Sequence, residues 1–346
     1  MFNRIFARIA FGTLVAAAAL PAMAQTAEEF YRKNTQLTMI VPTAAGGGYD
    51  SYARLLAKHM SKYIPGRPTI MSSNMPGGGG IVAANFVYNI APKDGTLMAI
   101  LDRGTPTAPL LYAGESKAQF DAVKFSWVGS AMSETGMGVI STKAPATTLD
   151  EVKQTEVFFG ATGPETDPAM NARLLNELLG TKIKTINGYK GQPEEFLAVE
   201  KGEVHGLFMS GWSGPGRAYV RDQMSKGTLK LLVQMSPTRD PMHMDTPTIL
   251  EVVKAEDKPI IELILARLAL GRPFVSPPGV PADRLEILRK AFRQAMEDPE
   301  LIAEATAQKL ALAPTWGAEA QQMIGKMYET KPADLERIRK IVKVAP

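Results

Sequence analysis

Leu37-Thr38-Met39-Ile40-Val41 is an apolar, β-branched run ending at Pro42, and it predicts a strand. Beyond Gly46-Gly47-Gly48, Tyr52, Leu55, Leu56, Met60 and Tyr63 recur at helical spacing, with Asp50 at the start, where the helix dipole favours an acid. Pro65-Gly66 stops that helix. Pro68 to Ser72 predicts a second strand, Ile81 to Ile90 a second helix, and Thr96 to Leu101 a third strand behind Lys93-Asp94-Gly95. Strand, helix, strand, helix, strand is an α/β pattern with parallel pairing.

The middle of the chain starts the same programme again. Val157-Phe158-Phe159 predicts a strand, Gly160 to Thr166 a loop, and Asp167-Pro168 a cap with proline at the first helical position. Leu174, Leu175, Leu178 and Leu179 carry the helix, which ends at Gly180. Ile183 to Ile186 is a strand, Asn187 to Gly191 a tight loop, and Pro193 to Lys201 a helix; Val204 to Met209 and Thr228 to Gln234 complete a second sheet. After Ser236-Pro237 come an apolar segment, Pro259 to Ala269, and a rigid connector, Ser276 to Pro281. Two helical patterns follow, Ala282 to Met296 and Ala318 to Tyr328, with Pro299 and Pro314 between them. They are expected to pack back on the first domain, giving two α/β lobes with a cleft between.

The amino terminus changes the compartment. Arg4 and Arg8, the apolar run Ile9 to Leu20 and Ala22-Met23-Ala24 read as a cleavable export signal over residues 1–24, with the mature chain starting at Gln25. The apolar run is shorter than the ~20 residues of a membrane span. The chain has no cysteine, hence no lipid-anchoring thiol and no disulfide. A soluble periplasmic protein is expected. Of 346 residues, 322 remain after cleavage, enough for two domains, and the formal charge of +4 falls to +2 without the two signal arginines. The remaining charges are interspersed, which argues against nucleic acid.

The candidate chemistry lies in two glycine-rich turns, Pro42-Thr43-Ala44-Ala45-Gly46-Gly47-Gly48 and Asn74-Met75-Pro76-Gly77-Gly78-Gly79-Gly80. Each follows a strand and leads into a helix, where backbone N–H groups are left to hold an anion. Neither carries the lysine of a nucleotide phosphate loop, and Gly78-x-Gly80-x-x-Ala83 fits the dinucleotide pattern only because four glycines run together. The mechanical alternative is that glycine merely permits positive φ. A third strand-loop-helix start at Thr162 to Asp167 favours convergence on one anion. Arg103, past the third strand, is a candidate partner or else a surface ion pair; Lys190 is a ligand contact or a solvated loop lysine. Trp212 stacks on a ligand or packs a hinge. His59, His205 and His243 are too far apart for a local metal motif, and no nucleophile-base constellation is legible, so neither a cofactor nor catalysis is expected. Glu28-Glu29 and Glu194-Glu195 fall at helix starts, where the dipole accounts for them.

Ile40 to Leu55, Asn74 to Gly80, Ala91 to Thr96, Phe125 to Ser130, Gly188 to Gly191, Lys201 to Val204 and Gly271 to Arg284, in this order and spacing, resemble the substrate-binding proteins of tripartite tricarboxylate transporters, the Bug receptors. The likeness covers essentially the whole mature chain. It implies a monomeric periplasmic-binding-protein (Venus flytrap) fold, each domain a mixed, mainly parallel sheet flanked by helices. Domain 1 would be 25–135 plus 236–346 and domain 2 would be 136–235. A small organic carboxylate would be caught in the cleft by hinge closure and passed to membrane permease subunits. A sensor kinase is an alternative partner.

The resemblance also implies that main-chain amides hold one carboxylate. The positions carried over are Thr43, Ala44, Ala45, Gly46, Gly47, Gly48 and Asp50, with Gly77, Gly78, Arg103 and Thr105, from domain 1. Ala161, Thr162, Gly163, Glu165, Thr166, Tyr189, Lys190 and Gly191 come from domain 2, where Trp212 remains a candidate on its own position after a strand. Gln192 and His205 depart from the family pattern, so the likeness supplies the class of ligand and leaves the compound open.

Overall fold

The computed structural model describes residues 25–114, 116–163, 166–189, 191–209 and 214–343. The chain runs through α1 (Ala27–Lys33), β1 (Gln36–Val41), α2 (Gly48–Met60), β2 (Thr69–Asn74), α3 (Ile81–Asn89), β3 (Leu97–Ile100), α4 (Ala108–Leu111) and β4 (Ser126–Ser130). It crosses to a second sheet through β5 (Gly136–Ser141), α5 (Leu149–Gln154), β6 (Val157–Ala161), α6 (Asp167–Leu179), β7 (Ile183–Asn187), α7 (Gln192–Lys201), β8 (Gly206–Met209), α8 (Gly214–Ser225) and β9 (Leu229–Met235). It returns through α9 (Ile249–Val252), α10 (Lys258–Ala269), β10 (Pro273–Ser276), α11 (Ala282–Met296), α12 (Pro299–Ala307), β11 (Thr315–Trp316), α13 (Gly317–Tyr328) and α14 (Pro332–Val342).

Sheet one has the order β11-β4-β10-β3-β1-β2 and sheet two the order β7-β6-β8-β5-β9. The expected parallel pairing holds for β2-β1-β3 and for β7-β6-β8. The other half of each sheet is antiparallel, because β10 returns between β3 and β4, and β5 enters between β8 and β9. Both sheets are therefore mixed and flanked by helices, a two-domain α/β architecture.

Strand β5 is not legible as a strand, since Gly136 and Gly138 look like loop punctuation. They are packing glycines: a Cβ on Gly138 would lie 3.0 Å from the Phe208 ring and 3.1 Å from Val233. Helices α12 and α14 also go unread, although each opens on a proline, as the helix read at Pro193 does. Pro299 follows the cap Asp298, whose carboxylate accepts from Glu300 N–H at 2.9 Å, and a first-turn proline loses no helical hydrogen bond.

Alternation along β1 puts Met39 and Val41 on one face, packed with Leu56 and Met60 of α2 and Leu288 and Phe292 of α11. Ile40 faces the opposite way, into a cluster that continues through Ile260 and Ile264 of α10 and Ile338 of α14 to Phe159 and Leu174 of the second lobe. One apolar core thus runs from sheet to sheet. The expectation that the terminal helices return to the first domain holds for α11 and α13, which pack on β4. Helix α14, which the sequence does not reveal, lies against α6, α10 and α4; Arg173 of α6 donates to Ile341 O at 2.9 Å, and Arg339 to Leu110 O at 2.8 Å. Among the described residues no helix is long and apolar enough to cross a membrane.

Candidate functional site

Because β2, β1 and β3 are adjacent and parallel, their carboxyl ends share one edge, with Val41 level with Asn74 and Ile40 with Ala99. The loops at Thr43–Gly47, Gly77–Gly80 and Arg103–Thr105 therefore emerge side by side. In the first loop Ala44 to Gly48 are exposed, and α2 begins behind Gly47 with no side-chain cap. Its first amides are open to an anion. Gly47 has φ −82°, and a Cβ there would have no neighbour nearer than 3.8 Å, so neither strain nor crowding demands glycine.

Asp50 is 3% exposed and braces this loop from beneath. Its carboxylate accepts from Gly46 N–H at 2.9 Å, Arg54 Nε at 2.8 Å and Asn74 Nδ2 at 2.9 Å; Asn74 also donates to Thr43 O at 2.8 Å. The Arg54 hydrogen bond, with the Gly46 and Asn74 donors, pulls its pKa down to about 2. Asp50 thus shapes the cradle and spends its oxygens on the protein.

The second turn is built differently. Gly77, Gly78, Gly79 and Gly80 have φ of 143°, 55°, 61° and 91°, and a Cβ on Gly80 would come 2.8 Å from Thr105 Oγ1. Here the mechanical role of glycine is plain. Thr105 Oγ1 donates to Gly79 O at 3.3 Å, tying this turn to the loop after β3.

On the second sheet, β7, β6 and β8 likewise share an edge, with Ala161 level with Asn187. Thr166, the cap of α6, turns its hydroxyl back to Gly163 O at 2.7 Å, so α6 starts without a side-chain cap. The sequence places the cap at Asp167, which is instead the first helical residue. Gly191 precedes α7, also uncapped, and the Tyr189 ring lies over Gly160, 3.2 Å from where its Cβ would be. Glu165, Lys190 and Trp212 fall outside the described residues. Three helix starts, two from one sheet and one from the other, thus lack a side-chain cap at the edges where the candidate loops gather; α2 leaves more first-turn amides open than α7, where Pro193 has no N–H and Glu194 N–H donates to Gly191 O at 3.1 Å.

An ion-pair network that the sequence does not reveal joins the two edges. Arg103 is ion-paired to Glu134, on the crossing from β4 to β5, and to Asp167 at the start of α6. Arg272 holds the other oxygen of Glu134 at 2.9 Å and stacks on Tyr49 at 4.6 Å and Tyr52 at 5.2 Å. Arg267 approaches Asp167 at 3.9 Å. Tyr49 hydroxyl accepts from Arg103 N–H at 3.1 Å, and burial, with Asp102 nearby, holds that phenol well above its usual pKa. Arg103, Asp167 and Arg267 line a cavity with Gly136, Met170 and Ile264. Arg103 is thus an inter-lobe cation, with protein acids as its partners.

Of the two departures from the family pattern, His205 lies away from these loops and Gln192 directly follows Gly191. His205 precedes β8, at the opposite edge of sheet two; its Nδ1 accepts from Phe158 N–H at 3.0 Å, and burial lowers its pKa. Gln192 packs on α8, its Oε1 3.0 Å from where Gly216 would carry a Cβ.

The family model described as tripartite tricarboxylate transporter family receptor matches residues 52–343. An Agrobacterium vitis protein of the UPF0065 group is 26% identical over 96% of this chain and 90% of its own length; one from Cupriavidus necator is 28% identical over 82% and 80%. Among solved structures, a ligand-free solute-binding protein from Polaromonas superposes with a TM-score of 0.69 at 21% identity, covering 89% of this chain and 97% of its own. A Rhodopseudomonas palustris protein with adipate gives 0.57 at 20% identity, with 90% and 98% covered. The MatC protein of the same organism, with bound malate, gives 0.55 at 21% identity, with 89% and 99% covered. This chain belongs to the tripartite tricarboxylate transporter receptor family.

Proposed function

We propose that this protein is a periplasmic receptor that takes a small organic carboxylate between its two lobes and delivers it to the membrane subunits of a tripartite tricarboxylate-type transporter. The observation that carries this reading is the set of three uncapped helix starts, α2, α6 and α7, at the two facing sheet edges. Malate and adipate in the two Rhodopseudomonas proteins agree with a carboxylate as ligand. Residues 1–24 serve as the export signal, 25–135 with 236–346 form one lobe, and 136–235 form the other. The crossings at Glu134 and after Ser236 act as the hinge, and ligand shifts an open-closed equilibrium. The mature chain works as a monomer and turns nothing over.

In this reading the main-chain amides supply the anion site and the arginines hold the lobes in register. Isothermal calorimetry with a panel of mono-, di- and tricarboxylates tests it. One-site binding of at least one acid is expected. An absence of binding throughout the panel contradicts it.

A further inference from the structure

Glu195 stands in the first turn of α7, beside the candidate loop at Tyr189–Gly191, and its side chain turns inward, 1% exposed. Its Cγ lies 3.4 Å from the point where Gly160 would carry a Cβ, with the Tyr189 ring 3.2 Å from the same point. Gly160 thus leaves the space in which this carboxyl sits behind Tyr189. Oε1 is fully shielded and, among the described residues, has no hydrogen-bond partner. The helix dipole explains an exposed acid at this position; it does not explain one turned inward without a donor.

The charges nearer the hinge are already matched. Glu134 and Asp167 take Arg103, Arg272 and Arg267, and Asp102 Oδ1 and Arg267 Nη2 flank one point above Gly104, at 3.3 and 3.1 Å. Each of the three guanidinium groups has a carboxylate partner, Glu134 or Asp167, and Asp102 Oδ1 accepts from Gly104 N–H at 2.8 Å. A ligand's second carboxylate would meet no unmatched guanidinium in that set, and on the α7 wall it would meet an acid.

We infer that Glu195 is the specificity-determining residue of the second lobe, selecting a ligand with an amine, in place of a second carboxylate, at the end remote from its carboxylate. The inference rests on the receptor reading above. The ammonium supplies the donors that Oε1 lacks and neutralises the buried charge. Access comes by turning aside the half-buried Tyr189 ring, with Gly188, at φ 112° and with open space around it, as the pivot. Burial raises the Glu195 pKa to about 7, so capture of an ammonium ion near neutrality releases a proton. Tyr189 is the titratable group set against it from the loop after β7, and Tyr189 in turn feels Glu203.

Calorimetry on the full mature chain with two pairs matched in length, 6-aminohexanoate against adipate and 4-aminobutanoate against succinate, tests this. The amino acid of a pair should bind at least tenfold more tightly than its diacid, with affinity rising from pH 6 to pH 8. Glu195→Gln should erase that margin and leave the diacid unweakened. Tighter binding of the diacids by the wild-type chain, or an unchanged margin in Glu195→Gln, overturns the inference and leaves the carboxylate receptor standing. Should the variant fail to fold, the wild-type pH slope decides: an amino-acid affinity that is flat or falls toward pH 8 overturns it. Binding of none of the four compounds overturns it too, and the wider carboxylate panel then judges the receptor reading separately.

Discussion

The guanidinium of Arg103, on the loop after β3, is ion-paired to the carboxylate of Asp167 at the first position of α6, so a side chain from one sheet edge grips the helix start of the other. Arg103 is also paired to Glu134, whose side chain is only 6% exposed, so removing the arginine leaves that buried carboxylate with Arg272 as its remaining partner and Asp167 with the more distant Arg267. Arg103→Ala should therefore destabilise the chain by about 3 kcal/mol in urea unfolding. In a double-mutant cycle with Asp167→Ala, the coupling should reach about 1–3 kcal/mol. Strict additivity would show that the pair does not join the lobes.

Two glycines of similar appearance should answer differently to substitution. Gly80→Ala meets both a φ of 91° and Thr105 Oγ1 at 2.8 Å, and should cost about 2–4 kcal/mol. Gly47→Ala has ordinary φ and open space, and should change stability by less than about 0.5 kcal/mol. Thermal or urea unfolding of both variants measures this, and equal losses would refute the distinction.

The Asp50 brace predicts an acid limb of stability. Its carboxyl titrates at about 2 in the fold against an ordinary 3.8, so the contribution is complete above pH 4 and fades as pH falls through about 2. Asp50→Asn should lose about 2 kcal/mol at pH 7 and much less at pH 2. A loss independent of pH would mean that the ionised form is not what braces the loop.

Glu195 has the opposite sign. Its pKa of about 7 exceeds the ordinary 4.5, so the fold is undiminished below about pH 4.5 and loses stability as pH rises toward 7. Glu195→Gln should match the parent at pH 4 and exceed it by up to about 3 kcal/mol at pH 8. Unfolding curves at the two pH values check this, and a variant less stable at pH 8 would argue for an ionised, well-paired Glu195.

Strands β1, β2, β6 and β7 are legible because each apolar run is closed by glycine, proline or asparagine at the edge where the candidate loops emerge, and β3 because Asp94-Gly95 marks its start. Parallel pairing then gathers those loops without further information. Strand β5 was hidden, since Gly136 and Gly138 signal a turn locally but serve close packing against Met235 and Phe208. Helices α14 and α12 are missed because Pro332 and Pro299, unlike Pro168 and Pro193, are taken as breaks between helices and not as first-turn residues. The partners of Arg103 were out of reach for another reason. Glu134 and Asp167 are brought to it only by the crossing of the chain between sheets, which no local pattern encodes. Glu195 misled because a helix-start acid is ordinarily solvated, and only the absence of a side chain on Gly160 lets this one turn inward.

The central claim is that open amides at the start of α2 recognise a carboxylate, and calorimetry of the wild-type chain beside Gly47→Leu tests it most directly. One acid per chain should bind the wild type, with affinity lost at least tenfold in Gly47→Leu while the unliganded melting temperature is unchanged. Equal affinity in a folded Gly47→Leu variant would contradict it.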